Sequence, residues 1–189
     1  MKFGLLTAIL EGTTFEEAVD FAAENQLECL EVACWPNTGG AKRRYAGVCH
    51  IDAEALTEEK AKEIIQYCKE RNVEISSLGY YPNTLDPDLE KRKQYIDHIY
   101  ALIDASSMLN VNMVTTFLGR VPDNNVEENL EIVKEVWPPI LEYAKEKGVK
   151  IAIENCPMWF TADEWPGGQN LMTCLLYTSD AADEARSGD

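Results

Sequence analysis

The spacing of hydrophobic residues changes regularly between two patterns along the chain. Short apolar runs, typical of buried strands, occupy residues 2–6, 28–34, 74–79, 112–117 and 150–154. Between these runs, apolar residues recur every three or four positions, which is the spacing of an amphipathic helix. The pattern therefore predicts five strands that alternate with four helices.

Residues that favour helix ends locate the predicted helices. They are expected from about Thr14, over 57–71, from Asp86 to about Leu109, and from Val126 to Lys147. Thr14 and Glu17 have the spacing of a capping box. Asp86-Pro87 supplies an N-cap followed by a proline at the first helical position. In the fourth helix, the pair Pro138-Pro139 is expected to kink or restart the helix.

The alternation of strands and helices limits the fold class. Such strands pair in parallel through right-handed crossovers, either in an open doubly wound sheet or in part of an eight-stranded barrel. The sequence has no GxGxxG motif after the first strand and no GxxxxGK[ST] motif, which disfavours nucleotide-binding open sheets. Glu31 and Glu154 each lie opposite the aliphatic face of their strand, as inward polar residues of a barrel would. We therefore predict an α/β fold, the N-terminal part of a (β/α)8 TIM barrel.

The composition is that of one globular domain with an acidic excess. Of 189 residues, 46% are hydrophobic and 26% charged, and the net charge is −16. Nucleic acids and anionic membranes select basic surfaces, so neither is expected as a partner. We recognise no signal peptide, and no apolar run approaches the ~20 residues of a membrane span. We expect a cytoplasmic protein whose six cysteines, with no CxxC pair, are reduced thiols.

The last part of the chain differs in character from the rest. The segment from Cys174 to Glu184 resembles the translation of a sequencing adapter, a contaminant of assembled reads, and 185–189 continues it. A genuine polar tail is the alternative. We expect natural sequence to end near Thr173, which divides the chain into a partial barrel at 1–173 and a non-native tail at 174–189.

Five segments carry a resemblance to a known family. They are LEVACW at 30–35, RRYAGVCHID at 43–52, LGYYPN at 78–83, VTTFLGR at 114–120 and, most specifically, IAIENCPM at 151–158. Through these segments, residues 1–172 resemble the sugar phosphate isomerase/epimerase group of the xylose isomerase-like TIM barrels. This superfamily also includes the type 2 apurinic endonucleases. The resemblance covers the first five strands of the barrel, so the chain is expected to be truncated after about the fifth strand.

The resemblance implies a metal site and a reaction. Family members bind one divalent cation through a Glu on strand five and an Asp, a His and a Glu on later strands. Glu154 matches the first ligand, and the other three have no counterpart because the chain ends before their strands. The resemblance implies that the metal is Mn, Mg, Co or Zn and that the substrate is a small sugar or sugar phosphate. It also implies that Glu154 transfers a proton and that the reaction passes through an enediolate. The chain alone is expected to be inactive.

Other side chains are candidate substrate contacts at the same end of the barrel. They are Glu31, Trp35, His50, Tyr80 and Arg120, with Asn155 as a candidate partner that orients Glu154. Each has a structural alternative: a hydrogen bond within the barrel for Glu31, a surface or capping role for His50, a salt bridge for Arg120, and core packing for the aromatic residues. His98 falls inside the third predicted helix and is expected to be structural or exposed.

Other functions on the same barrel remain open from the sequence. One is a metal-dependent dehydratase or other lyase, and another is an endonuclease-type phosphodiesterase. The endonuclease is disfavoured because it needs a basic surface and additional metal-binding histidines after earlier strands. The chain has two histidines, and neither directly follows strand three or four. A third alternative is a non-catalytic sugar-binding barrel. The sequence leaves the identity of the metal, the individual substrate and the oligomeric state open.

Overall fold

The structure, a computed structural model, describes residues 1–37 and 47–154. The strands are β1 (Gly4–Leu6), β2 (Cys29–Ala33), β3 (Glu74–Gly79), β4 (Met113–Thr116) and β5 (Lys150–Ile153). The helices are α1 (Phe15–Glu24), α2 (Glu58–Glu70), α3 (Leu89–Met108) and α4 (Val126–Glu146), with a 3₁₀ turn at Thr7–Ile9. The strands form a parallel sheet in the order β1-β2-β3-β4-β5. This confirms the predicted partial α/β barrel.

The first two helices begin where the capping residues predict. The Thr14 hydroxyl accepts the backbone N–H of Glu17 at 3.1 Å, and the Glu17 carboxylate accepts that of Thr14 at 2.7 Å. This capping box satisfies two backbone donors that the first turn of α1 cannot pair internally. At α2, Thr57 accepts from the backbone of Lys60.

The prediction that Asp86 caps α3 is wrong. The N-cap is Asp88, whose carboxylate accepts the backbone N–H groups of Glu90 and Lys91. Asp86 instead accepts the N–H of Asp88 at 2.9 Å, which folds the chain into a turn before the helix. Pro87 therefore lies outside the helix. Two acidic residues spaced by two compete for the cap, and the second one lies next to the first helical turn.

Of the two expected effects of the proline pair, a restart of α4 is wrong, because Val126–Glu146 is one helix that includes Pro138 and Pro139, while a kink stays a prediction. A proline in a helix removes the hydrogen bond to the carbonyl four residues earlier. Here those carbonyls belong to Lys134 and Glu135, which are exposed like the prolines. Water can satisfy them, so the interruption costs less than it would inside the core.

The core lies between the outer face of the sheet and the helices. Leu30, Val32, Leu78 and Val114 are fully buried on that face. Burying a side chain of this size contributes about 1.5–3 kcal/mol. The opposite face of the same strands carries Glu31 and other polar groups, so the alternation separates an apolar helix-covered side from a polar inner side.

An extra residue in β3 sets which side chains meet across the β2–β3 pair. Leu30 pairs with Ile75, but Glu31 pairs with Ser77, so Ser76 is left over as a bulge. The Ser76 hydroxyl donates to the carbonyl of Leu30 at 3.0 Å. The bulge places Ser77 beside Glu31 on the inner face.

Within the described part of the chain, the helices are all too polar or too short to cross a lipid bilayer.

Candidate active site

Glu31 lies on the inner face of β2 and is fixed by two hydroxyl groups. The Ser77 hydroxyl donates to Oε2 of Glu31 at 3.0 Å, and the Tyr81 hydroxyl donates to Oε1. Gly79 lies between these two donors in sequence. A Cβ at position 79 would come within 2.9 Å of Oε1 of Glu31 and 3.2 Å of the Tyr81 ring. The absence of a side chain at Gly79 therefore leaves the space that the Tyr81–Glu31 hydrogen bond occupies.

Glu154 directly follows β5 and continues its pairing, since its backbone N–H donates to the carbonyl of Thr116 at 2.9 Å. The residue is exposed at the rim of the barrel, whereas its carboxyl group is partly shielded from water. This desolvation, followed by the negative charge of Glu31, raises the pKa of Glu154, and a hydrogen bond with Tyr81 opposes the shift. The charge of Glu31 thus affects the ionisation of Glu154 across the inner face.

Tyr81 connects the two carboxyl groups. Its ring is buried and packs against Phe117, with the ring centroids 4.9 Å apart. Burial and then the charge of Glu31 raise the pKa of the Tyr81 phenol, so it stays a hydrogen-bond donor at neutral pH. Tyr80, and not Tyr81, is the substrate contact predicted from the sequence. The signal that could have found Tyr81 is the strand period, because Ser77, Gly79 and residue 81 share the inner side.

Tyr80 and Trp35 lie together, away from the carboxyl pair. Their ring centroids are 5.0 Å apart in an edge-to-face arrangement, and the Tyr80 ring also packs on His98 at 4.6 Å. All three residues line an outer cavity of about 830 Å³, which also contacts Glu54 and Tyr95. The lining of this cavity includes neither Glu31 nor Glu154, and a role as substrate contact stays a prediction for Trp35 and Tyr80.

His98 is a buried residue of α3 that binds the segment after β2. Its Nδ1 lies 2.7 Å from Oε1 of Glu54 and its Nε2 lies 2.8 Å from the carbonyl oxygen of Cys34. Through these two contacts the ring connects Glu54 in the loop and the end of β2 to helix α3. His98 has a structural position, one of the two expected for it.

His50 bridges the segments that follow β1 and β2. Its Nδ1 lies 2.8 Å from the hydroxyl of Thr7 and its Nε2 lies 3.2 Å from the hydroxyl of Thr13. The backbone N–H of Ala33 also donates to Thr7, at 2.9 Å. Partial burial lowers the pKa of His50, and hydrogen bonds to the backbone of Thr13 and Leu10 oppose that shift. A role as substrate contact stays a prediction for His50.

Arg120 follows β4 and contacts its own loop. Its guanidinium donates to the carbonyls of Pro122 at 2.7 Å and Asn124 at 3.4 Å. Asn83 clamps its backbone, accepting the N–H and donating to the carbonyl, both at 2.8 Å. These contacts brace the loop after β4, and a role as substrate contact stays a prediction for Arg120. Asn155 and the tail at 174–189 lie outside the described residues.

A family comparison gives the site its context. A sequence model described as a xylose isomerase-like TIM barrel matches residues 19–175. The chain belongs to the xylose isomerase-like TIM barrel family. This confirms the resemblance seen in the sequence. A comparison with curated protein sequences found no match.

Solved structures share this xylose isomerase-like fold at low sequence identity. D-psicose 3-epimerase with D-tagatose from Clostridium cellulolyticum H10 is 16% identical, with a TM-score of 0.60, over 87% of this chain and 54% of that one. The probable 3-DHS dehydratase AsbF from Bacillus anthracis is 22% identical, with a TM-score of 0.59, over 83% and 53%. The IolI protein with a binding zinc atom is 15% identical, with a TM-score of 0.59, over 81% and 51%. The chain spans about half the length of these structures, and such identities show the fold alone.

The oxygen ligands of the inner face fit a divalent cation only in part. Glu154 offers a carboxylate at the carboxyl end of a barrel strand, and Mg, Mn, Co and Zn all accept carboxylate oxygen. The repulsion between Glu31 and Glu154 is of the kind that a nearby cation relieves. Among residues 1–37 and 47–154, however, no three His, Cys, Asp or Glu side chains converge as a metal-binding group.

Proposed function

We propose that this chain is part of a sugar or sugar-phosphate isomerase or epimerase in which Glu154 removes a proton from the carbon beside a carbonyl. The observation that carries the proposal is the inner-face carboxyl group at the end of β5, with its pKa raised by desolvation and by Glu31. A base works best when its pKa approaches the working pH, and a raised carboxyl pKa moves Glu154 in that direction.

The proposed step needs few groups from this chain. The Glu154 carboxylate accepts the proton, and the electron pair moves onto the carbonyl oxygen to give an enediolate. Return of a proton to the same carbon from the other side inverts it, and return to the neighbouring carbon isomerises the sugar. The family resemblance assigns the second acid to a Glu on a later strand.

Glu31 and Tyr81 are proposed as positioning residues in this reaction. Tyr81 donates to Glu31 and also reaches Glu154 by a hydrogen bond. Ser77 holds Glu31 from the other side. The network limits the rotamers of both acids and keeps the negative charge of Glu31 near the proposed base.

Glu154 would also be the ligand that this chain supplies to a divalent cation of the Mg, Mn, Co or Zn type. Such a cation, when bound, polarises the substrate carbonyl and offsets the negative charge that develops on its oxygen. One carboxylate is one ligand of the proposed set, so we propose that the chain alone is inactive. We also propose that the partial barrel occupies residues 1–173, that 174–189 is non-native, and that the protein is cytoplasmic.

A dehydratase is the second candidate function, because one structure of the same fold is a probable 3-DHS dehydratase. Loss of water next to a carbonyl also begins with removal of a proton, so the same base serves both reactions. The two differ in their products. An epimerase exchanges substrate hydrogen with solvent deuterium and keeps the hydroxyl groups, whereas a dehydratase forms a conjugated double bond that absorbs ultraviolet light.

The test uses the whole protein, with the barrel completed, against a panel of ketoses, ketose phosphates and hydroxy-carbonyl acids. Turnover is measured with Mg, Mn, Co or Zn added and after chelation. Glu154→Gln is expected to lower kcat by about 10²–10⁴-fold, since general base catalysis contributes that much. Glu146→Gln, a matched change on the exposed face of α4, is expected to leave kcat unchanged.

Four outcomes decide the proposal. Metal-dependent hydrogen exchange that is lost in Glu154→Gln supports the isomerase or epimerase. Metal-dependent growth of ultraviolet absorbance, lost in the same variant, selects the dehydratase. Full turnover in Glu154→Gln contradicts the role of Glu154, and sugar binding without turnover would identify a non-catalytic barrel.

A further inference from the structure

Two cysteines face each other just beyond the end of β2. Cys34 and Cys49 form an isolated antiparallel bridge between the end of β2 and the segment that returns toward α2. The hydrogen bonds around the bridge run from Trp35 N–H to the Val48 carbonyl at 3.1 Å and from His50 N–H to the Ala33 carbonyl at 2.9 Å. These bonds join the residues on either side of the cysteines and not the cysteines themselves.

This pattern defines a non-hydrogen-bonded antiparallel pair, the kind in which facing side chains come closest. The Cα atoms in such a pair are about 4.5 Å apart. A disulfide requires Cα atoms about 4.4–6.8 Å apart. The two cysteines therefore lie within the range in which a disulfide forms without movement of the backbone.

The backbone around the bridge is held on several sides. Cys34 donates its N–H to the carbonyl of Gly79 at 2.9 Å, and its own carbonyl lies 2.8 Å from Nε2 of His98. These contacts tie the cysteine to β3 and to α3. The fold thus fixes one thiol in place and brings the other to it through the two flanking hydrogen bonds.

We propose that Cys34 and Cys49 are the site of a reversible intramolecular disulfide between the end of β2 and the segment that leads to α2. The reaction uses a low-molecular-weight disulfide such as oxidised glutathione as the oxidant. The Cys49 thiolate attacks one sulfur of the oxidant and releases one thiol. The Cys34 thiolate then displaces the second, so that one disulfide is reduced to two thiols while two protein thiols are oxidised to one disulfide.

Burial decides the order of attack and the rate. Cys34 is fully buried, whereas Cys49 is half-buried, so Cys49 meets the oxidant first. Burial, followed by the charges of Asp52 and Glu54, raises the pKa of Cys49 to about 11. The thiolate is the reactive form, so oxidation is slow at neutral pH. At pH values below that pKa, the rate of oxidation increases about tenfold for each unit by which the pH is raised.

Each of the two cysteines is followed in the chain by a candidate site residue. Trp35 follows Cys34 and His50 follows Cys49, and both were predicted from the sequence as substrate contacts. The disulfide therefore fixes the chain at both ends of the segment that joins them. The inference does not depend on the proposed reaction.

The test equilibrates the reduced 189-residue chain with mixtures of reduced and oxidised glutathione, in buffer and in concentrated urea. The samples are quenched with acid, alkylated and mapped by peptide mass spectrometry. We expect a Cys34–Cys49 cross-linked peptide in buffer. The equilibrium constant for forming this disulfide should be at least about tenfold larger in buffer than in urea, because the fold already holds the two cysteines together.

Variants make the assignment specific. Cys34→Ala and Cys49→Ala should each abolish the cross-link, while Cys68→Ala, a buried cysteine in α2, should leave it intact. Circular dichroism checks that each variant keeps the wild-type helix content, and the wild-type map decides the question if a variant does not fold. Cross-links mainly through other cysteines, or equal formation constants in buffer and urea, would overturn the proposal.

Discussion

The middle of β2 and the carboxyl end of β5 present the same chemical group in two different settings. Glu31 accepts hydrogen bonds from Ser77 and Tyr81 and is held within the barrel wall. Glu154 lies at the rim, and its pKa is raised by desolvation and by the charge of Glu31. Glu31 therefore has its hydrogen-bond partners within the barrel, whereas Glu154 has the raised pKa that the proposed base requires.

The largest stability effect is expected when the fixed acid loses a donor. Tyr81→Phe removes a hydrogen bond to a charged group inside the barrel, which is worth about 1.5–3 kcal/mol of unfolding free energy. Tyr143→Phe is the matched control, because the Tyr143 hydroxyl donates to Asp104 at 2.9 Å between helices near the surface. Its expected cost is below about 1 kcal/mol, since surface interactions with a charge are weak. Equal losses in urea unfolding would remove the distinction between the two settings.

The next effect tests the space around Glu31. Gly79→Ala puts a methyl group 2.9 Å from Oε1 of Glu31. We expect a loss of about 1–3 kcal/mol from overpacking. The same substitution in a Glu31→Ala background should cost much less, because the atom in the way is gone. A double-mutant cycle of urea unfolding measures this coupling, and additive losses would show that Gly79 does not serve to make room for Glu31.

A smaller effect links the two acids directly. Glu31→Gln removes one cause of the raised pKa of Glu154, so that pKa should fall toward 4.5, the ordinary value for Glu. Between pH 4.5 and the raised pKa, Glu154 is more protonated in the folded wild-type chain than in the unfolded chain. The contribution of Glu154 to stability therefore declines as pH rises through that window. The variant should show a shallower decline. Carboxyl NMR titration of Glu154 gives the pKa itself, and an unchanged pKa would separate the two groups electrostatically.

The smallest expected effect lies at His50, which serves as a reference of opposite sign. Burial lowers its pKa below the ordinary value of 6.5. The unfolded chain then binds more protons than the folded chain, so stability is lost as pH falls below 6.5 toward the lowered pKa. His50→Gln should remove that part of the loss in unfolding measured between pH 7 and 5. Parallel curves for wild type and variant would contradict the assignment.

The alternation of the strands made the inner and outer faces predictable. Leu30 and Val32 are fully buried toward the helices, while Glu31 lies on the opposite face, as the period of two required. The same count would have selected Tyr81 and not Tyr80 for the inner face. The prediction named Tyr80 alone, although the neighbouring Ser77 and Gly79 mark the inner side on which residue 81 also falls.

Other features depend on interactions that the sequence does not display. The pairing of Ser77 with Glu31 requires the bulge at Ser76, which arises from backbone hydrogen bonds between strands. The choice of Asp88 over Asp86 as the cap of α3 depends on which carboxylate meets the first free N–H groups. Both are decided by local geometry after the strands and helices have formed.

The order of strands in the sheet has a consequence for synthesis. Each strand from β2 to β5 pairs with the strand that precedes it in the chain. During synthesis, the strand with which each new strand pairs has therefore already left the ribosome. The barrel can thus grow one strand–helix unit at a time. Pairing with the preceding strand keeps the chain between paired strands shorter than pairing with an earlier strand would, which lowers the entropy cost of closing that connection.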